Sequence, residues 1–222
     1  MEASMRQRGI LFSGPMVRAI LDGKKTQTRR VVRPTGVVIG PEPIEYVAGS
    51  QRGDVGDHRT IWWPDTGPTR RSPYGQPGDL LYVRETFQVG YQVADETLIG
   101  GETYSLIRPP SDAADEATRR VFYRADYPDG SGPPKWRPSI FMPKALSRLW
   151  LRVTDVRVER VQDISEEDAL AEGVEECFTV YDGYGRQRFR DLWNRINRSR
   201  GYAWESNPWV WVVSFERAEA PS

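Results

Sequence analysis

The chain has 222 residues, 38% of them hydrophobic, and 31 Lys plus Arg balance 31 Asp plus Glu. A net charge of zero argues against a protein that coats long nucleic acid by bulk counterion release, while a local basic cleft stays open. One cysteine (Cys177) and one histidine (His58) exclude an internal disulfide, a cysteine-based zinc site and a two-histidine ribonuclease mechanism, and they argue against a histidine-centred triad.

Residues 1–9 are polar and are expected to fray. "ILFSGPMVRAILDG" predicts a short helix: Pro15 suits the first helical position, Met16, Ala19 and Ile20 recur at helical spacing, and Gly23 stops it. "TQTRRVVRP" predicts a strand ending at Pro34. Residues 35–75 are rich in Gly, Pro, Asp and Arg and read as a long loop. "PGDLLYVRETF" is a turn followed by a strand. Residues 88–119 read as a hairpin and a polar loop, and "RRVFYRADYPDG" as a short strand and turn. The four prolines of "SGPPKWRPSIFMPKALSR" predict an irregular segment pinned in place.

"RLWLRVTDVRVERVQD" alternates apolar and charged residues (Leu149, Leu151, Val153, then Val156 and Val158). That is a long half-buried strand with a bulge at Thr154–Asp155. "ISEEDALAEGV" predicts a helix capped by Ser165, with acids in its first turn and Gly173 closing it. "RQRFRDLWNRINRSRG" places Phe189, Leu192, Trp193 and Ile196 on one helical face and stops near Gly201. "NPWVWVVSFERA" is a final strand with Trp209, Trp211, Val213 and Phe215 on one side. With no internal repeat and no linker between two cores, the order predicts one α+β domain over 1–222: a small β-barrel with short flanking helices. No apolar run reaches membrane-spanning length, so a soluble cytoplasmic protein is expected, with no membrane partner.

The most chemically loaded stretch is "ILDGKKTQTRR", with Lys24, Lys25, Thr26, Thr28, Arg29 and Arg30. One reading is a solvated basic edge strand, since lysine protects edges. The other is a cleft in which a lysine, its pKa lowered by burial and by neighbouring cations, activates a hydroxyl. Lys25 and Thr28 lie three apart and would point to opposite faces of a strict strand. They converge only if Lys25 belongs to the helix exit or a turn. Glu85 in "YVRETF" reads as a second cleft acid or as a partner for Arg84 or Arg29. Trp136 and Arg137 suit stacking and clamping of a base, or Trp136 packs its Pro-rich loop. His58 reads as a surface residue, and Cys177, following an acidic pair, as structural.

"ILDGKKTQTRR", "PGDLLYVRETF", "ISEEDALAEGV" and "WVWVVSFERA" resemble the ASCH domain of the PUA-like superfamily, in particular the larger ASCH-like proteins of prophage and bacterial genomes. On that resemblance, 35–75 and 88–135 are loop or hairpin insertions on a smaller barrel core. The resemblance implies a cleft suited to nucleosides or nucleic acids. Small ASCH proteins similar in motif are amidohydrolases acting on N(4)-acetylcytidine without metal or cofactor. Their residues carry over as Lys25 for the proton acceptor, Thr28 for the nucleophile and Glu172 for the proton donor. Lys24, Thr26, Arg29, Arg30, Glu85, Trp136 and Arg137 are then the candidate substrate contacts. A raised pKa on Glu172 would come from burial beside Ala169 and Val174. The oxyanion donor would be a backbone N–H after Gly23 or the Arg29 side chain. The alternatives are a module that binds RNA, single-stranded nucleic acid or a modified base without catalysis, and a ribonuclease.

Overall fold

The computed structural model describes residues 5–32, 60–63, 67–94, 105–108, 119–130, 132–133, 135–174 and 184–221. His58 and Cys177 lie outside the described residues.

The architecture is α+β. A five-stranded mixed sheet has the order β1-β5-β9-β10-β2. Its strands are β1 (Gln7–Leu11), β2 (Gln27–Val31), β5 (Leu80–Arg84), β9 (Trp150–Arg160) and β10 (Trp209–Ala218). β1 runs parallel to β5, and the other pairings are antiparallel. The two free edges, β1 and β2, are linked by the Arg30 guanidinium donating to the Leu11 carbonyl at 2.7 Å. β3 (Thr60–Trp63) and β4 (Gly67–Arg71) form a separate hairpin within the range read as loop. β6 (Phe87–Ala94), β7 (Ser105–Arg108) and β8 (Arg119–Tyr123) form a three-stranded antiparallel sheet in the order β7-β6-β8.

Two cores share β10. Its side chains alternate, so Trp211, Val213 and Phe215 join Ile10, Leu81, Val83, Leu151 and helix α1 (Gly14–Leu21) on one face. Val210 and Val212 pack on the other face with Phe189, Trp193 and Ala169 from α2 (Glu166–Ala171) and α3 (Tyr184–Asn197). A strand buried on both faces reads as a continuous apolar run, which is why "WVWVV" lacks polar alternation. The β9–β10 register shifts between Ser214 and Phe215, opposite Asp155 and Val153, which leaves Thr154 as the extra residue. The bulge therefore falls at the position expected for it.

Two sequence expectations are corrected. Gln7–Gly9, expected to fray, belong to β1. Backbone pairing with β5 holds a polar segment in place there, and Gly9 accommodates Tyr82, whose ring would meet a Cβ at 2.9 Å. On α3, Ile196 is 46% exposed. The inward position next to it is taken by buried Asn197, whose amide donates to the Trp193 carbonyl at 3.2 Å.

Candidate functional site

α1 ends in a tight exit. Gly23 has φ +74°, and the amides of Lys24 and Lys25 both donate to the Ala19 carbonyl at 2.9 Å. Lys25 therefore belongs to the turn and not to β2, the condition its convergence with other site groups requires. The Thr26 amide donates to Ala171 at 2.9 Å, and Lys25 forms an isolated antiparallel bridge with Glu172. Glu172 is the C-cap of α2, a helix begun by Ser165, whose hydroxyl accepts from the Asp168 amide at 3.1 Å. Gly173 follows at φ +79°. A Cβ there would lie 2.9 Å from the β-carbons of both Ala19 and Lys25, so only glycine lets the lysine pass this close.

The Lys25 ammonium has three acceptors, each at 2.7 Å: the Gln27 carbonyl, the Glu172 carbonyl and Glu172 Oε2. Those are all the hydrogens it carries. The side chains of the pair are 2% and 6% exposed. Burial pushes the lysine below its ordinary pKa. Glu172 opposes that shift, and the nearby Arg30 and Arg29 reinforce it.

Beside this pair lies a second buried cation. Arg29 points to the same side of β2 as Gln27 and meets the α2–α3 layer, 5.8 Å from the Phe189 ring. Its Nε donates to Glu159 at 2.8 Å, and one terminal nitrogen reaches both Glu159 and, at 2.7 Å, Asp168. The other meets Gln27 Oε1 at 2.6 Å and Glu172 Oε1 at 3.4 Å. All five guanidinium donors are used within the protein. Arg157 closes the group, bonding Asp168 at 2.6 Å and Glu159 at 3.2 Å. Burial alone would raise the Asp168 carboxyl, but Arg29 and Arg157 hold it below the ordinary carboxylate range.

Thr28 and Arg30 occupy the opposite side of β2, paired with Val213 and Trp211 of the core that includes α1. Thr28 is 4% exposed, and no hydrogen bond joins its hydroxyl to the Lys25 amine among the described residues. Phe12 is the common wall, its ring 5.1 Å from the Arg30 guanidinium and 5.7 Å from the Lys25 amine. Arg30 Nε is buried without a hydrogen-bond partner among the described residues. It is an unused donor on the Thr28 side, whereas Arg29, the side-chain oxyanion donor expected from sequence, has none left.

The remaining candidates lie elsewhere. Lys24 and Thr26 are exposed. Glu85 is 1% exposed and meets Arg148 through two bonds of 2.9 and 3.1 Å. Its partner is therefore neither Arg84 nor Arg29. Burial raises the Glu85 carboxyl against the pull of Arg148. Arg148 also bonds Asp126 at 2.8 Å and lies 4.0 Å from the Tyr123 ring centroid. Trp136 is half-buried against Tyr127, with ring centroids 5.8 Å apart, and Arg124 lies over its ring. Arg137 is exposed beside the Phe87 ring, with its backbone paired to Phe87. Sequence reasoning missed Gln27, Glu159, Asp168 and Arg157. A signal for two of them exists in the period-two spacing of Arg157 and Glu159 on β9, which places both charges on one face.

Among the described residues no group of three His, Cys, Asp or Glu is placed to hold a metal ion, and no helix is long and apolar enough to cross a membrane. No protein-family model and no curated protein sequence matches the chain. Among solved structures, the chain is similar to the ASCH domain from Lactobacillus crispatus JV V101. The match covers 96% of this chain and 79% of that one, at 12% identity and a TM-score of 0.37. It is also similar to a protein from Enterococcus faecalis V583 assigned to the DUF984 family model, covering 98% and 83% of the two chains at 11% identity and a TM-score of 0.35.

Proposed function

We propose that the chain is a metal-independent amidohydrolase acting on an acylated nucleoside or base of the N(4)-acetylcytidine type. The observation that carries this reading is the 2.7 Å contact between the Lys25 amine and the Glu172 carboxylate, brought together from segments 147 residues apart. Across that contact an ion pair and a neutral pair differ by one transferred proton. Burial disfavours the charged form of the lysine. The neutral pair holds what amide cleavage needs, a free amine as base and a carboxylic acid as proton donor.

In this reading the amine gives up its bond to the Gln27 carbonyl and turns to Thr28. It takes the hydroxyl proton as Oγ1 bonds to the acyl carbon. The carbon–nitrogen bond breaks, and Glu172 gives its proton to the leaving amine. Lys25 and Glu172 are then an ammonium and a carboxylate. Water hydrolyses the threonine ester: Glu172 takes a proton from the water, and Lys25 returns one to Oγ1. The orphan Arg30 Nε is the donor for the developing oxyanion. Incubation with N(4)-acetylcytidine is expected to release cytidine. Thr28→Ala should abolish release, and Thr28→Ser should keep part of it. Binding of the compound with no turnover by the wild-type chain rejects this reading.

The near-complete enclosure of both side chains favours a second reading, in which the pair fastens α2 to β2 and the chain binds its ligand without chemistry. Under that reading Lys25→Gln and Glu172→Gln lower stability, and the wild-type chain releases no cytidine.

A further inference from the structure

The Lys25–Glu172 pair adjoins four more charged groups, Arg29, Arg157, Glu159 and Asp168. Arg29 is enclosed, while the other three keep part of their side-chain surface. Two cations meet two anions, so the four add no net charge beside the pair. Among the described residues, the charges at the margin also cancel. Arg30 lies across β2, and exposed Asp155 sits 3.7 Å from Arg157. Lys24 and Glu167 are exposed, and Glu166 accepts from the amides of Gly185 and Arg186. α3 contributes the Phe189 ring and no charge to the group. Its arginines Arg186, Arg188, Arg190 and Arg195, with Arg198 and Arg200 in the turn after it, are exposed. Glu172 offers its two oxygens to two cations: Oε2 takes Lys25 at 2.7 Å, and Oε1 faces Arg29 at 3.4 Å. Arg29 stands back because its other terminal nitrogen is held by Glu159 and, at 2.7 Å, by Asp168. Both acids are in turn shared with Arg157. The pull of Arg29 on the pair is therefore set by three groups that do not bond Lys25.

We propose that Arg29, Arg157, Glu159 and Asp168 are positioning residues whose balanced charges set how readily Lys25 gives up its proton. Buried ionic groups are often no more stabilising than apolar ones of similar volume, so fastening α2 to β9 does not by itself require them. While the balance holds, burial is the main influence on the amine and keeps it below its ordinary 10.5. Loss of an anion leaves one positive charge in excess, which repels the ammonium and frees the amine at lower pH. Loss of a cation leaves one negative charge in excess, which holds the ammonium to higher pH. A set that only fastened α2 would lose stability in both cases, with no change of sign at Lys25. The part these residues play in catalysis rests on the amidohydrolase reading, whereas their effect on the Lys25 proton does not.

The chain has four lysines, Lys24, Lys25, Lys135 and Lys144. Carbon-13 label at lysine Cε therefore gives four signals, and Lys25→Met identifies the one from Lys25. Its shift is followed in the full chain as pH rises, over the range in which circular dichroism shows the chain folded. The wild-type midpoint is expected below 10.5. Asp168→Asn and Glu159→Gln should each lower it by about 0.5–1 pH unit, and Arg157→Gln should raise it by about as much. Arg157→Lys, which keeps the charge, should leave it near wild type. Asp168→Asn/Arg157→Gln restores the balance and should return it to within about 0.3 unit of wild type. All three positions reach solvent and the Asn and Gln replacements keep the shape of the acids, so these chains are expected to fold. The pH dependence of cytidine release from N(4)-acetylcytidine should move with the same signs. Opposed midpoint shifts without any cytidine release support the charge balance and reject the amidohydrolase reading. Shifts of the same sign in Asp168→Asn and Arg157→Gln overturn the proposal. So does a double variant further from wild type than either single one, an Arg157→Lys midpoint equal to that of Arg157→Gln, or a wild-type Lys25 that stays protonated up to 10.5.

Discussion

Two groups of cations, one enclosed beneath α3 and one on its exposed face, follow opposite rules. On the inner side, Lys25, Arg29 and Arg157 meet Glu159, Asp168 and Glu172, so three cations face three anions at contact distance. On the outer side, six arginines share the surface with one acid of the same helix. Inside, charges are matched, Lys25, Arg29 and Glu172 are desolvated while Arg157, Asp168 and Glu159 keep part of their surface, and each hydrogen-bond donor of Arg29 has a partner. Outside, they are exposed, and their contacts with Gln162, Tyr184, Asp191 and Glu205 lie at the surface. Burial sets the difference: an unpaired charge in the interior is too costly to keep, whereas at the surface water substitutes for a partner. The inner cations therefore hold the fold around a candidate reaction centre, whereas the outer ones make only solvent-exposed contacts, Arg186 with the Gln162 carbonyl and Arg188 with the Tyr184 hydroxyl among them.

The comparison breaks most visibly at Arg29. Arg29→Met leaves Glu159 and Asp168 with Arg157 as their remaining partner and Glu172 with Lys25, and removal of one partner from a buried ionic group costs about 3–5 kcal/mol. Urea unfolding should show a loss of that order, and a loss under about 1 kcal/mol would mean that the inner group is solvated like the outer one. Lys25→Met should cost somewhat less, about 3 kcal/mol, because Glu172 keeps its weaker 3.4 Å contact with Arg29. Adding Glu172→Leu should return much of that stability, since an apolar pair in place of an ionic one is often neutral. A double-mutant cycle that shows strict additivity would contradict direct coupling between the two side chains.

A smaller effect separates the two groups by pH. Burial lowers the Lys25 amine from its ordinary 10.5. Between the lowered value and 10.5 the folded chain holds fewer protons on this group than the unfolded chain does. Stability therefore rises with pH across that window, at most by about 1.4 kcal/mol per unit for one proton. The slope should be absent from the Lys25→Met/Glu172→Leu chain. If that chain shows the same slope as wild type, the lysine is not the group responsible.

Much of this organisation was legible in the sequence where local rules act alone. Pro15 and Gly23 bounded α1, Ser165 and Gly173 bounded α2, and the interrupted alternation of β9 located the bulge at Thr154. Gly23 also allowed, without requiring, that Lys25 sit in a turn, which is what lets it reach Glu172. The rest depends on pairing at long range. β1 is a polar segment that becomes a strand only because β5 lies beside it. The enclosure of Arg29 follows from the approach of β9 and α2, so a residue that reads as a surface cation in "KKTQTRR" is interior. Glu85 could be assigned a partner only once Arg148, 63 residues away, was placed beside it. Thr28 faces away from Gln27 and Arg29 as strand periodicity requires, and only the turn at Lys25 keeps the two candidate groups near one edge.

The weakest perturbation completes the comparison. Arg195 is exposed in the last turns of α3, and arginine and glutamine have similar helix propensity. Arg195→Gln should therefore shift stability by no more than about 0.5 kcal/mol, in contrast to the several kcal/mol expected at Arg29. The residue favours the helix slightly, because a cation near a C-terminus complements the macrodipole, so the small change should be a loss and should shrink as salt is added. A loss at Arg195 that is large and insensitive to salt would place this arginine among the groups that hold the fold, and the division between inner and outer cations would no longer stand.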